Sequence, residues 1–448
     1  VDTNWASLIK LFITILSSGQ AEIFEQGQRR EVANAWLAGW QAVHSVIASV
    51  ISHLLREEDD QAIINFGTYR KELFQIISYL LENSDPEQEV AEEPSVDSRT
   101  GEKSYMKSDP YLEASNSVRG QAFQAFEMFA LLEKKSFLKD AKSKLQEDVK
   151  KLYETCLAKE NTQAMMFMFG RHLPFFYFSD KEWICKLIPK IFPNEPEKIN
   201  LYLAAWEGYL SRPLFRELFE EFVSLYQRAI EFNPAQYTPR RYTTDLDEAL
   251  ATHLALAFMH YPDFAFNSAL FKLFRRAKNT KRHAAFISFI GRYAIARKNA
   301  AVWLKENTID IKKIKTFWDW ALKFCNDPEV LKKFGFWMKS EKGMLEPKWI
   351  AKHILFTLKK TNGDIDWEHG MMEFLPKLIP VATEESLQIL RLYLLNRAQH
   401  GWIYVDDELV NIFKTLYAIP AIKDKTRKLI NELLPLRNGL FWRLKEVL

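Results

Sequence analysis

The sequence predicts an all-α protein in which an irregular N-terminal helical domain precedes a HEAT-like α-solenoid of stacked helix pairs. Apolar residues recur at spacings of three and four along most of the 448 residues, which is the pattern of amphipathic helices. The chain holds only 15 Gly and 17 Pro, and this scarcity favours long helices over many short strands and turns. Strand-like alternation of apolar and polar residues is missing from the sequence, so we predict no sheet.

Residues 1–82 are predicted to be the N-terminal group of helices. Within them, residues 5–82 are expected to form three helices. Positions at helical spacing share one apolar face, as expected for helices that bury one side in a common core. One such face is formed by Trp36, Trp40, Val43, Ile47, Val50, Ile51 and Leu54. A second is formed by Phe66, Leu73, Phe74, Ile77, Leu80 and Leu81.

Residues 83–113 form a predicted acidic loop. They contain nine acidic residues against three basic ones, a net charge of −6, and they include Pro86, Pro94 and Pro110. A segment with so little apolar content cannot offset its ordering entropy by burial. We therefore expect a surface loop between two helical blocks.

The second helical block is predicted over residues 114–232, starting with helices near 114–133 and 138–158. Ser179 and Glu182 have the spacing of a capping box that opens a helix. Residues 212–231 have a single amphipathic pattern and predict one helix. Residues 233–244 follow as a loop with Pro234 and Pro239, and we place a domain boundary there.

The C-terminal helical-repeat domain is predicted over residues 245–448. Asp327 has the position of a cap for a helix that begins at Pro328. Helix pairs then start near residues 348, 384 and 422, about every 37 residues, a period typical of degenerate HEAT-like pairs. The predicted helices are Trp349–Lys360 with Asp366–Ile379, Glu384–Gln399 with Asp406–Ile419, and Lys423–Leu434.

Sequence motifs give no sign of catalysis. The phosphate-binding, dinucleotide-binding and zinc-protease patterns and the nucleophile elbow are absent from the sequence, so we predict no catalytic, cofactor-binding or metal-binding residue. His253 and His260 lie seven residues apart, whereas a helical metal pair usually has a spacing of three or four. Asp245 with Asp247, and Asp364 with Asp366, lie where helices begin, so we interpret both pairs as helix caps.

Cysteine usage and hydropathy bear on the compartment. Cys156, Cys185 and Cys325 are far apart with no paired spacing, so we expect buried thiols in a reducing cytoplasm. The apolar run Leu11–Leu16 is far shorter than the ~20 residues that span a bilayer, and we expect no membrane association. The first residue is Val rather than Met, which is expected of either a fragment of a longer protein or a processed chain.

Residues 272–315, here called the basic segment, are the main charge anomaly of a chain whose net charge is +3. Thirteen basic residues oppose two acidic ones, a net charge of +11, and Phe286, Phe289, Tyr293 and Trp303 are interleaved. The segment could contact phosphates, an acidic protein surface or the acidic loop of the same chain, or form solvated helix faces. The contact candidates are Arg275, Arg276, Lys281, Arg282 and Arg292, with Arg240, Arg241 and Tyr242 from the 233–244 loop.

Three stretches of the C-terminal half have a characteristic amino-acid sequence: residues 335–360, 364–380 and 383–395. They resemble the helical-repeat sensor regions of bacterial STAND-type NTPases, which implies a ligand-sensing module separated from its NTPase and effector domains. The resemblance assigns no functional residue. We expect a non-catalytic protein-recognition or sensor module; the alternatives are a nucleic-acid-binding repeat protein that uses the basic segment and a helical enzyme with dispersed active-site residues.

Overall fold

The chain divides into two compact units, residues 1–215 with 238–246 and residues 216–237 with 247–448. A computed structural model describes much of both units. The described residues are 5–17, 30–58, 61–83, 85–86, 95–96, 103–104, 109–137, 144–232, 245–297, 299–307, 309–339, 344–366, 368–400 and 404–448.

The first unit is built from helices. They are α1 Trp5–Ser17, α2 Arg30–Leu54, α3 Phe66–Leu81, α4 Pro110–Asn116, α5 Val118–Phe137, α6 Glu147–Lys159, α7 Gln163–Ser179, α8 Lys181–Ile191 and α9 Ile199–Leu210. Two antiparallel pairs of two-residue strands accompany them, β1 Glu57–Glu58 with β2 Gln61–Ala62 and β3 Ser95–Val96 with β4 Lys103–Ser104. The all-α prediction is confirmed, since these ladders form no layer of the core.

Helix α7 is the centre of the first unit and is buried along most of its length. It crosses α9 at close range because Gly170 and Gly208 have no side chain: a Cβ at Gly170 would overlap the carbonyl of Ala205. The rings around α7 pack mainly edge-to-face, the arrangement that aromatic quadrupoles favour. Phe123, Tyr153, Phe169 and Phe176 have ring-centre separations from 4.7 to 6.3 Å.

Two helix starts of the first unit differ from the prediction. The cap of α8 is Asp180, whose carboxylate accepts from the backbone N–H of Trp183, while Ser179 is the last residue of α7. Helix α4 begins already at Pro110 because Asp109 accepts from the N–H of Tyr111 at 2.8 Å. The acidic loop therefore ends earlier than predicted, and most of its remaining residues lie outside the described ranges.

The second unit is also helical. Its elements are α10 Arg216–Glu221, α11 Val223–Glu231, α12 Leu246–His260, α13 Ala269–Arg276, α14 Thr280–Ile290, a π-helical turn Gly291–Ile295, α15 Ala300–Glu306, α16 Ile311–Phe324, α17 Pro328–Leu331, a 3-10 turn Lys332–Trp337, α18 Pro347–Lys360, α19 Glu368–Leu378, α20 Thr383–His400, α21 Asp407–Tyr417, α22 Lys423–Leu433 and the terminal 3-10 turn Trp442–Val447.

The start of the second unit differs from the sequence prediction. The single helix expected over 212–231 is two helices, because Phe222 between α10 and α11 departs from helical geometry at φ −101° and ψ 22°. Both helices belong to the second unit, and the chain passes between the two units after Phe215, after Tyr237 and after Leu246. The boundary expected at residues 233–244 stays a prediction. That loop lies outside the described residues.

The five helices predicted from the 37-residue rhythm are present, with ends shifted by a few residues. Helix α18 packs against both α16 and α20, and α20 packs against α22. Helix α19 packs against the 3-10 turn Lys332–Trp337 and against α21. Asp327 caps α17 through a 3.0 Å bond from the N–H of Glu329, which confirms that prediction.

Candidate partner-binding surface

The basic segment begins with the α13–α14 corner. The apolar face of α13 buries Leu270, Phe271 and Phe274, which leaves Lys272 and Arg276 exposed one turn apart on the opposite side. Asn279 starts α14 by accepting from the backbone N–H of a residue in its first turn. The corner thus presents cations because its apolar face is used for packing.

Arg282 is the exception within this segment, because its side chain points inward. It is only 3% exposed; its guanidinium pairs with the carboxylate of Asp247 and donates to the backbone carbonyl of Ile230 at 2.7 Å. The prediction that Arg282 belongs to a surface contact patch is wrong. Its charge neutralises a buried carboxylate and satisfies a carbonyl at the end of α11.

Arg275 is half-buried in an aromatic pocket. Its guanidinium carbon lies 3.9 Å from the ring centre of Phe266 and 5.1 Å from that of Trp320. One amino group donates to the carbonyl of Phe266 at 2.9 Å. Burial, with a smaller contribution from Arg276, lowers the pKa of Arg275. This side chain supports the packing of α13 against α16, and its stacked face is not open to a partner.

Two lysines near the end of the segment also have partners within the fold. The Lys313 ammonium donates to the carbonyl of Tyr261 at 3.1 Å and lies 4.7 Å from the ring centre of Phe258. Burial lowers the pKa of Lys313 to about 8. Lys315 pairs with Glu346 and thereby lowers the pKa of that carboxyl.

The exposed cations of the segment remain as candidates for a partner. They include Arg276, Lys281 and Arg292 from the predicted set, while Arg240, Arg241 and Tyr242 lie outside the described residues. The complete exposed set within the described residues is Lys272, Arg276, Lys278, Lys281, Arg292, Arg297, Lys305 and Lys312.

A cation–aromatic cluster surrounds the π-helical turn. The guanidinium of Arg297 lies 4.6 Å from the ring centre of Trp303, and Tyr293 meets that indole edge-on at 5.2 Å. Phe289 stacks on Tyr293 at 4.9 Å. Turns of this kind are frequent at functional sites. Here the turn leaves half-buried rings next to exposed arginines at the far end of α14 from the corner.

The other candidate groups from the sequence have structural partners. His253 is buried and bonds through Nδ1 to the hydroxyl of Tyr226 at 2.8 Å. Asp366 pairs with Lys333, and Asp364 lies 3.6 Å from the ammonium of Lys332. The residue directly before the described part of α19 lies outside the described ranges, so the helix-cap interpretation of this pair stays a prediction.

Metal-ligand clusters and membrane-spanning helices are both absent from the described part of the chain. No group of three or more His, Cys, Asp or Glu residues there is arranged to hold a metal ion. None of the described helices combines the length and the apolar composition that crossing a membrane requires. The three cysteines are half-buried rather than buried, and burial raises the pKa of Cys156 to about 12.

A second basic surface, which the sequence prediction missed, lies on α18. Lys348, Lys352, Phe356 and Lys359 are exposed and fall on one face of the helix at spacings of four, four and three. We call these four residues the α18 stripe. The opposite face buries Ile350, Ile354 and Leu358, among other residues. The stripe does not stand out as a charged run in the sequence, because its residues are three and four positions apart. They come together only on one face of the helix formed by residues 347–360.

The stripe is uncompensated in charge. Lys348, Lys352 and Lys359 form no ion pair with any described residue. The Lys359 ammonium lies 5.7 Å from the ring centre of Phe356, which is 48% exposed. The stripe therefore combines three available cations with one accessible aromatic ring.

Two acids on the neighbouring helices have partners of their own. On α16, Asp319 accepts from Nε2 of His353 at 2.6 Å. On α20, Glu384 pairs with Lys425 at 2.7 Å. Neither acid forms an ion pair with a lysine of the stripe.

Comparison with protein-family models, with curated proteins and with solved structures found no match to this chain. The site is therefore defined by its own geometry: exposed cations at the α13–α14 corner, a cation–aromatic cluster at the π-helical turn, and the α18 stripe.

Proposed function

We propose that the second unit is a HEAT-like solenoid that recognises a protein partner and performs no catalysis itself. Support comes from the packing of every second helix, α16 on α18, α18 on α20 and α20 on α22, with α19 on α21 in a second row. Stacked helix pairs of this kind form extended surfaces that bind other proteins. The rhythm of about 37 residues in the sequence agrees with such pairs.

The observation that carries the proposal is the exposure of large aromatic rings on the outer side of this stack. Phe356 of α18 is 48% exposed and Phe324 of α16 is 61% exposed. Each ring has a lysine beside it, with ammonium-to-centroid distances of 5.7 Å for Lys359 and 5.2 Å for Lys323. Aromatic residues are enriched at protein interfaces, where they dominate the binding energy.

The resemblance to STAND-type sensor regions is consistent with this role. It supports a cytoplasmic recognition module within a larger bacterial protein, in which effector domains would respond to the bound partner. Recognition by an extended surface needs no converging catalytic groups.

The test is reciprocal capture followed by direct binding. The full chain is immobilised and incubated with extract of its native cells, and each retained protein is purified and titrated against the full chain. We expect at least one purified protein to bind directly and to recover the chain in the reverse experiment. The proposal fails if no purified candidate binds.

Nucleic-acid binding is a second candidate, favoured by the exposed cations and the Trp303 cluster. Anisotropy of a labelled oligothymidine at about 50 and 200 mM salt measures any phosphate contribution. Charge reversal of Arg276, Lys281 and Arg292 to Glu should abolish such binding. The matched control reverses Lys190, Lys377 and Lys414, which are also exposed. Absence of binding at low salt, or equal binding by both variants, contradicts this candidate.

A further inference from the structure

We propose that the α18 stripe is the docking site for an acidic amphipathic helix of the partner protein. In this complex Phe356 packs among apolar side chains of the partner helix, and Lys348, Lys352 and Lys359 face its carboxylates. The inference rests on the proposed function, because it names the surface and the partner chemistry within it.

The stripe contributes little to the stability of the fold. Lys348 and Lys352 are four residues apart on one helix, where like charges repel and destabilise the helix by a few tenths of a kcal/mol. No described acid offsets them, and the packing of α18 uses the opposite face. An exposed phenylalanine between such lysines likewise leaves apolar surface in water. Both features become favourable when an acidic, partly apolar surface covers them.

The dimensions of the stripe fit a helix. It runs from residue 348 to residue 359, which at 1.5 Å per residue is a length of about 16 Å, or three turns. A partner helix that lies along α18 can place a carboxylate near each lysine by spacing its acids at one-turn intervals. The long lysine stems can then cover apolar surface on either side of Phe356 while their ammonium groups reach the carboxylates.

A helix along α18 fits the stripe better than a nucleic acid does. The stripe offers three cations, whereas nucleic-acid binding gains affinity from many phosphate contacts.

The probe is a fluorescein-labelled peptide of 14 residues, the length of α18, with Glu and Leu at helical spacing. A second peptide carries Gln in place of each Glu, and a third carries Lys. Binding to the full chain is measured by anisotropy. We expect the Glu peptide to bind at least about tenfold more tightly than the Gln peptide, because complementary charges add to the apolar contact.

Two variants locate the site. The triple reversal Lys348→Glu, Lys352→Glu, Lys359→Glu should weaken the Glu peptide at least about tenfold and should restore binding of the Lys peptide. Phe356→Ser should weaken the Glu peptide by a similar factor. The control reversal of Lys190, Lys377 and Lys414 should leave its affinity unchanged. Thermal unfolding checks that each variant is folded, as expected for exposed positions.

Several results would overturn the inference. One is that the Glu peptide does not bind to the full chain. Another is that the triple reversal and the control reversal bind this peptide equally well. A third is that an oligothymidine, and not the Glu peptide, binds through the same lysines. A captured partner protein that binds the triple reversal as tightly as the unaltered chain would also overturn the docking site, while leaving the proposed function intact.

Discussion

The guanidinium of Arg282 and the carboxylate of Asp247 form a buried ion pair that joins α14 to α12. The same guanidinium donates to the carbonyl of Ile230, so one side chain connects three helices of the second unit. An isolated buried charge is unfavourable, whereas a paired and hydrogen-bonded one is tolerated. The pair therefore makes each partner necessary to the other.

Replacing Arg282 by Met should lower the free energy of unfolding by about 3 to 5 kcal/mol, because it leaves Asp247 buried without its cation. Arg276→Met is the control, since Arg276 is exposed in the same segment and should change stability by less than about 0.5 kcal/mol. Urea unfolding followed by circular dichroism measures both. Equal stabilities of the two variants would show that the ion pair contributes nothing.

Gly170→Ala should destabilise the first unit by about 1 to 3 kcal/mol, the usual range for overpacking. The new Cβ would overlap the carbonyl of Ala205 and force α7 away from α9. Gly39→Ala in α2 is the matched control, because a Cβ there meets nothing within 4 Å. That variant should be as stable as the unaltered chain or gain up to about 1 kcal/mol from helix propensity. A Gly170→Ala protein that unfolds like the control would contradict the close crossing.

The sequence predicts those structural features that depend only on residues close together in the chain. The 37-residue rhythm locates α18 to α22 because each helix has its own apolar face, and Asp327 is a recognisable cap because cap and helix are adjacent. The burial of Arg282 was not predictable in this way, since Arg276 has the same residue type and a similar sequence neighbourhood. The two differ through Asp247, which lies 35 residues away from Arg282 along the chain.

The candidate surface was only partly predictable for the same reason. Arg276, Lys281 and Arg292 are exposed as expected, whereas Arg275 is stacked between Phe266 and Trp320, which tertiary packing alone brings together. The α18 stripe had a local signal in its helical spacing. Its lack of ion pairs depends on neighbouring helices, and only the structure shows it.

Lys313 should make stability depend on pH. Its pKa is about 8 in the folded chain against an ordinary value of 10.5, so between these values the unfolded chain binds more protons. The free energy of unfolding should therefore rise with pH across this window and fall as pH drops back towards 8. Solvent screening of the partly exposed ammonium keeps this change well below the ~3.4 kcal/mol of the full shift. Lys313→Met removes this titration. Urea unfolding of both proteins at about pH 7.5 and 10 should show a stability difference that shifts towards the unaltered chain at high pH; a constant difference would contradict the burial of the ammonium.

Arg275→Lys keeps the charge but loses the planar group that stacks on Phe266 and Trp320. We expect a loss of about 1 kcal/mol in unfolding free energy, together with a change in tryptophan emission. Arg276→Lys, at an exposed neighbouring position, provides the control. It should change neither the unfolding free energy nor the tryptophan emission. Unchanged emission in Arg275→Lys would argue against the stacked geometry.

Photo-crosslinking from the α18 stripe tests the central claim, that this helical stack recognises a protein partner through its outer surface. A photoreactive phenylalanine analogue replaces Phe356 in one protein and Tyr404, which is 89% exposed, in the other, and each is irradiated in extract of its native cells. We predict a discrete protein adduct from position 356 that excess Glu peptide prevents and that position 404 does not give. Adducts that are absent from position 356, or are the same at both positions, would contradict the account.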